Sequence, residues 1–176
     1  MFGRLLAAGA ALFVSTHIAA AQGAANWPQR PVTLIVSQAA GASPDVMARL
    51  IAEKLGKELN QGVVVENKPG GGNVIGALAA ARAAPDGYTY FFATSAALAN
   101  NVFMMKDLPY HPTKDFAPVA LVTRSNQVIV TTPDLPAKTL TELIALEKAA
   151  PGKYSLGVDG PRNLAGVTAQ ALNKRT

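Results

Sequence analysis

An α/β fold with a mostly parallel sheet is the architecture that this 176-residue sequence predicts. Short runs of β-branched and aromatic residues alternate with segments whose apolar residues recur at helical spacing. The connections between them are short and rich in glycine, proline and asparagine, which is typical of strand–helix–strand units with right-handed crossovers. An irregular, proline-punctuated segment at residues 107–118 separates two such regions, so we expect two lobes.

The first predicted strand is Val32–Val36, whose β-branched and apolar run is typical of a strand covered on both faces. A helix is predicted over residues 44–59, where apolar residues recur at helical spacing. Ser43 can cap this helix, Pro44 suits its first position, and Asp45 is favourable in its first turn. The small-residue turn before the helix therefore offers backbone N–H groups at the carboxyl end of a strand. An ordinary strand–helix connection is the alternative interpretation of this turn.

The rest of the first lobe continues the alternation. The predicted elements are a strand at residues 62–66, a helix at 73–83 with Asn73 as its cap, a strand at 88–93 and a short helix at 96–101. If the first and third strands are neighbours in the sheet, the loops at residues 39–43 and 94–95 face one crevice. This first lobe is predicted to span residues 31–106.

A partial second lobe is predicted over residues 119–176, with residues 107–118 crossing between the lobes. Its predicted elements are strands at 119–123 and 127–131, a helix that opens at Thr139, a strand at 154–156 and a last helix after a turn at 157–163. Glu142 lies three residues after Thr139, which is the spacing of a capping box. The turn at 157–163 repeats the glycine-bearing strand-to-helix connection of the first lobe.

The N-terminus has the pattern of an export signal. Arg4 precedes an apolar stretch that ends in three alanines, so residues 1–21 are predicted to be a signal peptide cleaved after Ala21. Residues 22–30 then form a linker. The chain has no cysteine, which excludes a lipidated N-terminus and disulfide bonds. We expect a soluble periplasmic protein.

The charge pattern argues against a nucleic-acid partner. The net charge is +5, and it falls to +4 without the signal because Arg4 is the only formally charged residue there. The basic residues are scattered and no cluster interleaves with aromatic side chains, so neither DNA nor RNA binding is expected.

Catalytic and cofactor motifs are missing from the sequence. His111 is the only histidine beyond the signal, and no second histidine is available for a metal pair. The glycines at residues 70–72 lack the Lys-Ser/Thr ending of a phosphate loop. No serine lies in a Gly-x-Ser-x-Gly elbow, and the aspartates form no paired-carboxylate motif. We expect no enzyme, no metal and no cofactor, although a small α/β hydrolase is the alternative from another functional class.

Binding of an anion is the better prediction from the residues. Two small-residue turns, at residues 39–45 and 157–163, each lead from an apolar strand into a helix N-terminus. If the turns face each other across the lobes, they offer convergent N–H donors and helix dipoles to a carboxylate. Asp45 and Asp159 would repel an anion if aimed inward, so they are either helix-start residues or partners for an ammonium or hydroxyl group.

Several motifs in this order closely resemble those of the Bug (TctC-like) family, the periplasmic solute-binding components of tripartite tricarboxylate transporters. They are WPxRPVTLIV at residues 27–36, AAG at 39–41 with Asp45 after it, ENKPG at 66–70, AAPDGYT at 83–89, DFAPV at 115–119 and PGKY at 151–154. The similarity runs from about residue 27 to about residue 172. It implies a two-lobed, hinged α/β protein of the type II-like (Venus flytrap) kind.

The resemblance also implies a function and a site. Such proteins close on a small carboxylate and deliver it to a membrane permease of one large and one small subunit. The ligand-binding positions carried over from the family are Ala39, Ala40, Gly41, Ser43 and Asp45 in the first turn, Thr94 and Ser95 in the wall, and Gly157, Asp159, Gly160 and Asn163 in the second turn. The ligand is expected to be a di- or tricarboxylate or a related organic acid.

The chain departs from the family pattern in four places. Gln38 stands where an aromatic residue is usual, Ala42 where a second glycine is common, and Asn163 where a histidine usually precedes Leu-Ala-Gly. Family members also continue well beyond residue 176, so the chain is expected to be C-terminally truncated with an incomplete second lobe. A non-functional remnant of such a protein is therefore an alternative.

Overall fold

A computed structural model describes residues 27–175 of the chain. The predicted signal peptide at 1–21, its cleavage site and most of the linker at 22–30 lie outside the described residues. Within residues 27–175, no helix is long and apolar enough to cross a membrane.

Strands and helices alternate through the first part of the structure, as predicted. The elements are β1 (Val32–Val36), α1 (Ser43–Leu59), β2 (Val63–Asn67), α2 (Val74–Ala81), β3 (Thr89–Phe92), a π-helix (Ala96–Asn100) that runs into α3 (Asn101–Met104), α4 (Leu140–Ala149) and α5 (Leu164–Arg175). The predicted capping box is present, since Thr139 Oγ1 accepts a hydrogen bond from Glu142 N and the Glu142 carboxylate accepts one from Thr139 N. The predicted α/β class is confirmed.

The sheet has three parallel strands in the order β2-β1-β3. Val32 pairs with Val63, and Thr33 pairs with Thr89, so β1 is the central strand. Its residues are almost entirely buried, which agrees with the prediction of a strand covered on both faces. The first and third strands are therefore neighbours, and their carboxyl ends meet at the same edge of the sheet.

Two hydrophobic clusters cover the opposite faces of this sheet. On one face, Leu34 and Val36 pack against Ala48 of α1, with side chains from β2 and β3 around them. On the other face, Ala77 of α2 packs with Ala97 and Tyr110. The segment at 107–118, predicted as a crossing, thus contributes Tyr110 to the first lobe's core, where its hydroxyl donates to the Ala97 carbonyl over 2.5 Å. Apolar side chains therefore pack against both faces of the sheet.

Three predicted strands of the second lobe are absent from the described structure. Residues 119–123, 127–131 and 154–156 are without regular secondary structure, and Val119 and Val130 are 77% and 84% exposed. The β-branched composition of residues 119–123 and 127–131 favours pairing, but an extended segment becomes a strand only beside a partner strand. No segment within residues 27–175 supplies that partner.

Two predicted helix caps also differ from the structure. Ala42 is the N-cap of α1, and Ser43 is its first helical residue, with no side-chain cap bond. Asn73 does occupy the N-cap position of α2, with φ at 75°, but its side chain does not bond to the helix. Its amide oxygen instead accepts a hydrogen bond from Gln38 of the first turn. A tertiary contact has replaced the local cap.

Gly76 allows α2 to approach the sheet edge closely. A Cβ at this position would lie 2.8 Å from Ser37 Cα and 2.9 Å from the Lys68 carbonyl oxygen. Both atoms belong to the backbone, which cannot move aside as a flexible side chain can. The absence of a side chain at Gly76 therefore sets the distance between α2 and the carboxyl ends of β1 and β2.

We expect Gly76→Ala to lower the free energy of unfolding by about 1–3 kcal/mol through overpacking. Alanine's better helix propensity favours the variant by only about 1 kcal/mol, so the clash decides the sign. Chemical denaturation of both proteins measures the difference.

Gly62→Ala is the matched control, because a Cβ there meets only Pro31, at an ordinary 3.8 Å. Its stability should stay within about 0.5 kcal/mol of the parent. Equal stability of Gly76→Ala and the parent would contradict the close-approach argument.

Candidate ligand-binding site

The first predicted turn and the predicted wall lie at one edge of the sheet. Because β1 and β3 are parallel neighbours, residues 39–43 and the pair Thr94 and Ser95 all follow carboxyl ends of adjacent strands. Open α/β sheets bind their ligands at such edges. Ala39, Ala40, Gly41, Ser43 and Ser95 are exposed, and Thr94 is half-buried.

Gln38 joins the first turn to its neighbours, a role that the sequence did not predict for this departure from the family pattern. Its Nε2 donates to Asn73 Oδ1 over 2.9 Å and to Thr94 Oγ1 over 3.4 Å. The side chain thus spans the ends of β1 and β3 and the start of α2. Two signals in the sequence mark this residue: its position directly after Ser37 at the end of a buried strand, and its departure from the aromatic residue that is usual in the family.

The backbone of the first turn leaves donors free on its exposed side. Gly41 adopts φ +83°, and its N–H donates to Asp45 Oδ2 over 2.8 Å, while Ala42 N–H donates to the Ala39 carbonyl. The N–H groups of Ala39 and Ala40 have no partner within the described part of the chain. A Cβ on Gly41 would meet no atom within 4 Å, so the space beside the turn is open.

Asp45 lies inside this turn and is only 2% exposed. Its carboxylate accepts hydrogen bonds from Gly41 N, from Arg49 Nε over 3.0 Å and from Asn67 Nδ2 over 2.8 Å. The Arg49 guanidinium, followed by the Gly41 N–H and the Asn67 amide, lowers the pKa of Asp45 from 3.8 to about 2. The structure therefore places Asp45 within the turn and away from the surface that a ligand would contact.

Asn67 extends this network across the sheet edge. Its Nδ2 also donates to the Gln38 carbonyl over 3.1 Å, and its Oδ1 accepts from Arg49 Nη2 over 2.9 Å. The end of β2, the end of β1 and the first turns of α1 are thus connected through hydrogen-bonded side chains. Asn67 is the second residue of the site that the sequence analysis did not select.

The second predicted turn is held by contacts of its own. Asn163 Oδ1 accepts from Gly166 N over 2.8 Å, in the manner of a helix N-cap, and Asn163 Nδ2 donates to Asp159 Oδ1. A Cβ on Gly166 would lie 2.7 Å from the Pro161 backbone, so α5 packs directly on the turn. Gly157, by contrast, borders open space.

The two turns are brought to one side of the first lobe without touching each other. The second turn meets the first lobe where Asn100 Nδ2 donates to the Arg162 carbonyl over 3.1 Å and the Arg162 guanidinium lies against Gly72. Gly72 is next to Asn73, which holds Gln38. Across the described residues, no hydrogen bond joins residues 157–163 to residues 39–43.

Groups for metal chemistry are not assembled in this region. Within residues 27–175, no three histidine, aspartate or glutamate side chains lie close enough together to hold a metal ion. The region instead presents the free N–H groups of Ala39 and Ala40, the neutral side chains of Gln38 and Thr94, and the Arg162 guanidinium. Such groups recognise an anion by hydrogen bonding.

Comparisons with known proteins all identify the same protein family. The profile of the tripartite tricarboxylate transporter family receptor matches residues 47–176. The protein BugT of Bordetella pertussis is 38% identical over 174 residues, which is 98% of this chain and 53% of BugT. The chain therefore belongs to the tripartite tricarboxylate transporter receptor family, and it spans about half the length of the curated relatives it matches.

Solved structures show the same fold. One described as a periplasmic transporter superposes with a TM-score of 0.73 at 39% identity, over 85% of this chain and 50% of the other. The R. palustris protein Rpa4515 with adipate gives a TM-score of 0.72 at 32% identity, over 78% and 46% of the two chains. The predicted fold class, a two-lobed periplasmic binding protein of which this chain covers part, is confirmed.

The buried carboxylate of Asp45 should make the protein's stability depend on pH at the acid end. Its pKa is lower in the folded chain, so its contribution is present above pH 3.8 and is lost as the pH falls towards 2. We expect Asp45→Asn to be less stable than the parent at pH 7 and to lose less stability between pH 4 and pH 2.5. Urea denaturation at pH 7, 4 and 2.5 tests both expectations.

Glu53→Gln is the control, because Glu53 pairs with Lys57 on the exposed face of α1. Exposed ion pairs of this kind contribute little, so its denaturation curves should follow the parent's at every pH. If Asp45→Asn and the parent lost the same stability on acidification, the proposed network at Asp45 would be wrong.

Proposed function

We propose that this member of the tripartite tricarboxylate transporter receptor family binds a small organic carboxylate at the edge formed by the ends of β1 and β3. The observation on which this rests is the first turn, where the N–H groups of Ala39 and Ala40 are exposed and unpartnered beside the open space at Gly41. Rpa4515, a structural relative, has been solved with adipate. A di- or tricarboxylate or a related organic acid is the ligand class we propose.

The first turn suits a carboxylate because of its donors and its position. The 17-residue helix α1 begins at Ser43, so the positive end of its dipole lies beside the two free N–H groups. Asp45 would repel an anion if it were exposed, but its charge is compensated by Arg49 and its oxygens are engaged internally. The turn therefore offers the N–H groups of Ala39 and Ala40 to the ligand without an opposing free carboxylate.

The remaining predicted positions form the other surfaces of the proposed site. Thr94 and Ser95 supply hydroxyl groups at the end of β3, and Gln38 holds Thr94 in place through its side-chain amide. We propose that Gly157, Asp159, Gly160 and Asn163 of the second turn approach the ligand from the second lobe. Asp159 is hydrogen-bonded to Asn163 and would act through the shape of that turn.

The proposed chemistry is reversible binding without bond making. In a receptor of this family with two lobes, the lobes would close on the acid in the periplasm and release it to the large and small membrane subunits of the permease. Within residues 27–175, no histidine is hydrogen-bonded to a serine as a general base would be, since His111 Nδ1 contacts only Thr113 and Lys114. A hydrolase is therefore not proposed.

A thermal melt of the purified chain with and without excess di- and tricarboxylates tests the function. Binding to the folded state alone adds about 2.7 kcal/mol of stability at a hundredfold excess over the dissociation constant, which raises the melting temperature measurably. We expect one class of acids to shift the melt and the corresponding neutral amides to leave it unchanged. A melt that no carboxylate shifts would refute binding by this chain.

A pair of substitutions at Gly41 tests the location of the site. Gly41→Asp adds a negative charge beside the free N–H groups, whereas Gly41→Asn adds a side chain of the same shape without charge. Both residue types tolerate the left-handed backbone better than most, so the strain is matched. We expect the aspartate variant to bind the acid about tenfold more weakly than the asparagine variant, a difference of about 1.4 kcal/mol. Equal affinities in calorimetric titrations would place the ligand elsewhere.

A further inference from the structure

Arg162 is the one half-buried arginine of the described chain whose guanidinium has no acceptor there. The four ion pairs within residues 27–175 join Arg30 to Asp86, Arg49 to Asp45, Lys57 to Glu53 and Lys68 to Glu66. Arg82 and Arg124 are also unpaired in this part of the protein, but both are exposed to solvent. A guanidinium has five N–H donors, and partial burial without an acceptor leaves them poorly satisfied.

Contacts with the first lobe hold Arg162 in place from two directions. Its carbonyl accepts from Asn100 Nδ2 over 3.1 Å, which fixes the backbone. Its guanidinium lies on Gly72, where a Cβ would be 3.1 Å from both Cζ and Nε. Gly72 is itself held by Asn101, whose Nδ2 donates to the Gly72 carbonyl over 2.8 Å. The backbone of Arg162 is therefore held by a hydrogen bond, and its guanidinium lies against the first lobe at Gly72.

A row of neighbouring residues connects Arg162 to the proposed carboxylate site. Gly72 precedes Asn73, whose Oδ1 accepts from Gln38 Nε2 over 2.9 Å, and Gln38 precedes Ala39 of the first turn. Asp159, the acid nearest to Arg162 in sequence, is engaged by Asn163. The row thus runs from unpartnered N–H groups to an unpartnered guanidinium, with only neutral side chains between them.

We infer that Arg162 binds a second carboxylate of the ligand and so makes the site selective for dicarboxylates over monocarboxylates. The inference rests on the proposed function, in which the first carboxylate lies at Ala39 and Ala40. Planar guanidinium and carboxylate groups form paired, charge-assisted hydrogen bonds, so the second carboxylate would satisfy the donors that the protein leaves free. An ester or a methyl group at that end of the ligand would leave them unsatisfied.

Calorimetric titration of adipate and of its monomethyl ester into the parent chain and an Arg162→Gln variant tests the inference. Hydrogen bonds to charged groups are strong enough that we expect the parent to prefer adipate by about tenfold or more. Arg162→Gln should lower adipate affinity to about that of the ester and leave ester affinity within about twofold, since the ester lacks the second charge. Arg162→Lys should retain part of the preference because it keeps the charge without the planar geometry.

Arg82→Gln is the matched control, because it removes one positive charge from an exposed arginine. It should retain the parent's preference for adipate, which separates a local contact from long-range attraction. If the parent binds adipate and Arg162→Gln keeps the preference, the role of Arg162 is refuted while the proposed function stands. If the parent binds neither compound nor any other carboxylate, the proposed function fails and the role of Arg162 fails with it.

Discussion

The Asp45 carboxylate is the interaction on which the candidate site depends. It is buried at the start of α1 and accepts hydrogen bonds from a backbone N–H, an arginine and an asparagine that come from three successive parts of the chain. A buried charge is tolerated only when such partners satisfy it. The carboxylate thereby engages the Gly41 N–H, while the N–H groups of Ala39 and Ala40 have no partner within the described residues. The position of Asp45 in the sequence suggests a ligand contact. In the structure the carboxylate is buried, and its hydrogen bonds hold the first turn together.

The same edge of the sheet shows how close packing and polar contacts cooperate. Gly76 brings α2 within van der Waals distance of Ser37 and Lys68, and this approach puts Asn73 within reach of the Gln38 amide. Gln38 then reaches Thr94 at the end of β3. A larger residue at position 76 would separate the helix from the strand and break this row. The polar groups at the sheet edge therefore depend on the close approach of α2 to the strand ends at Gly76.

Elements defined by local patterns were predicted well, and those defined by distant partners were not. Val32–Val36, the helix after it and the capping box at Thr139 follow from residue spacing, because a buried run, an amphipathic period and a cap are local properties. The β-branched run at 127–131 has the same local character but forms no strand, since strand formation needs a neighbour. The roles of Gln38 and Asn67 were not predicted, because an amide side chain acquires a role only from what the fold puts beside it. The clearest local pattern at the site is an aspartate in the first turn of a predicted helix. This pattern placed Asp45 correctly, but it could not predict the hydrogen-bond partners of the carboxylate.

Charge balance explains why a site of this kind would use Arg162 as well as backbone donors. Asp45 and Arg49 neutralise each other, so the first turn offers only partial charges from N–H groups and the helix dipole. Partial charges can balance one carboxylate, but the second charge of a dianion would remain uncompensated, which is unfavourable. A full positive charge at the other end of the row removes that penalty for a dicarboxylate. For a monocarboxylate the same arginine would stay unsatisfied, so one residue both favours the first class of ligand and disfavours the second.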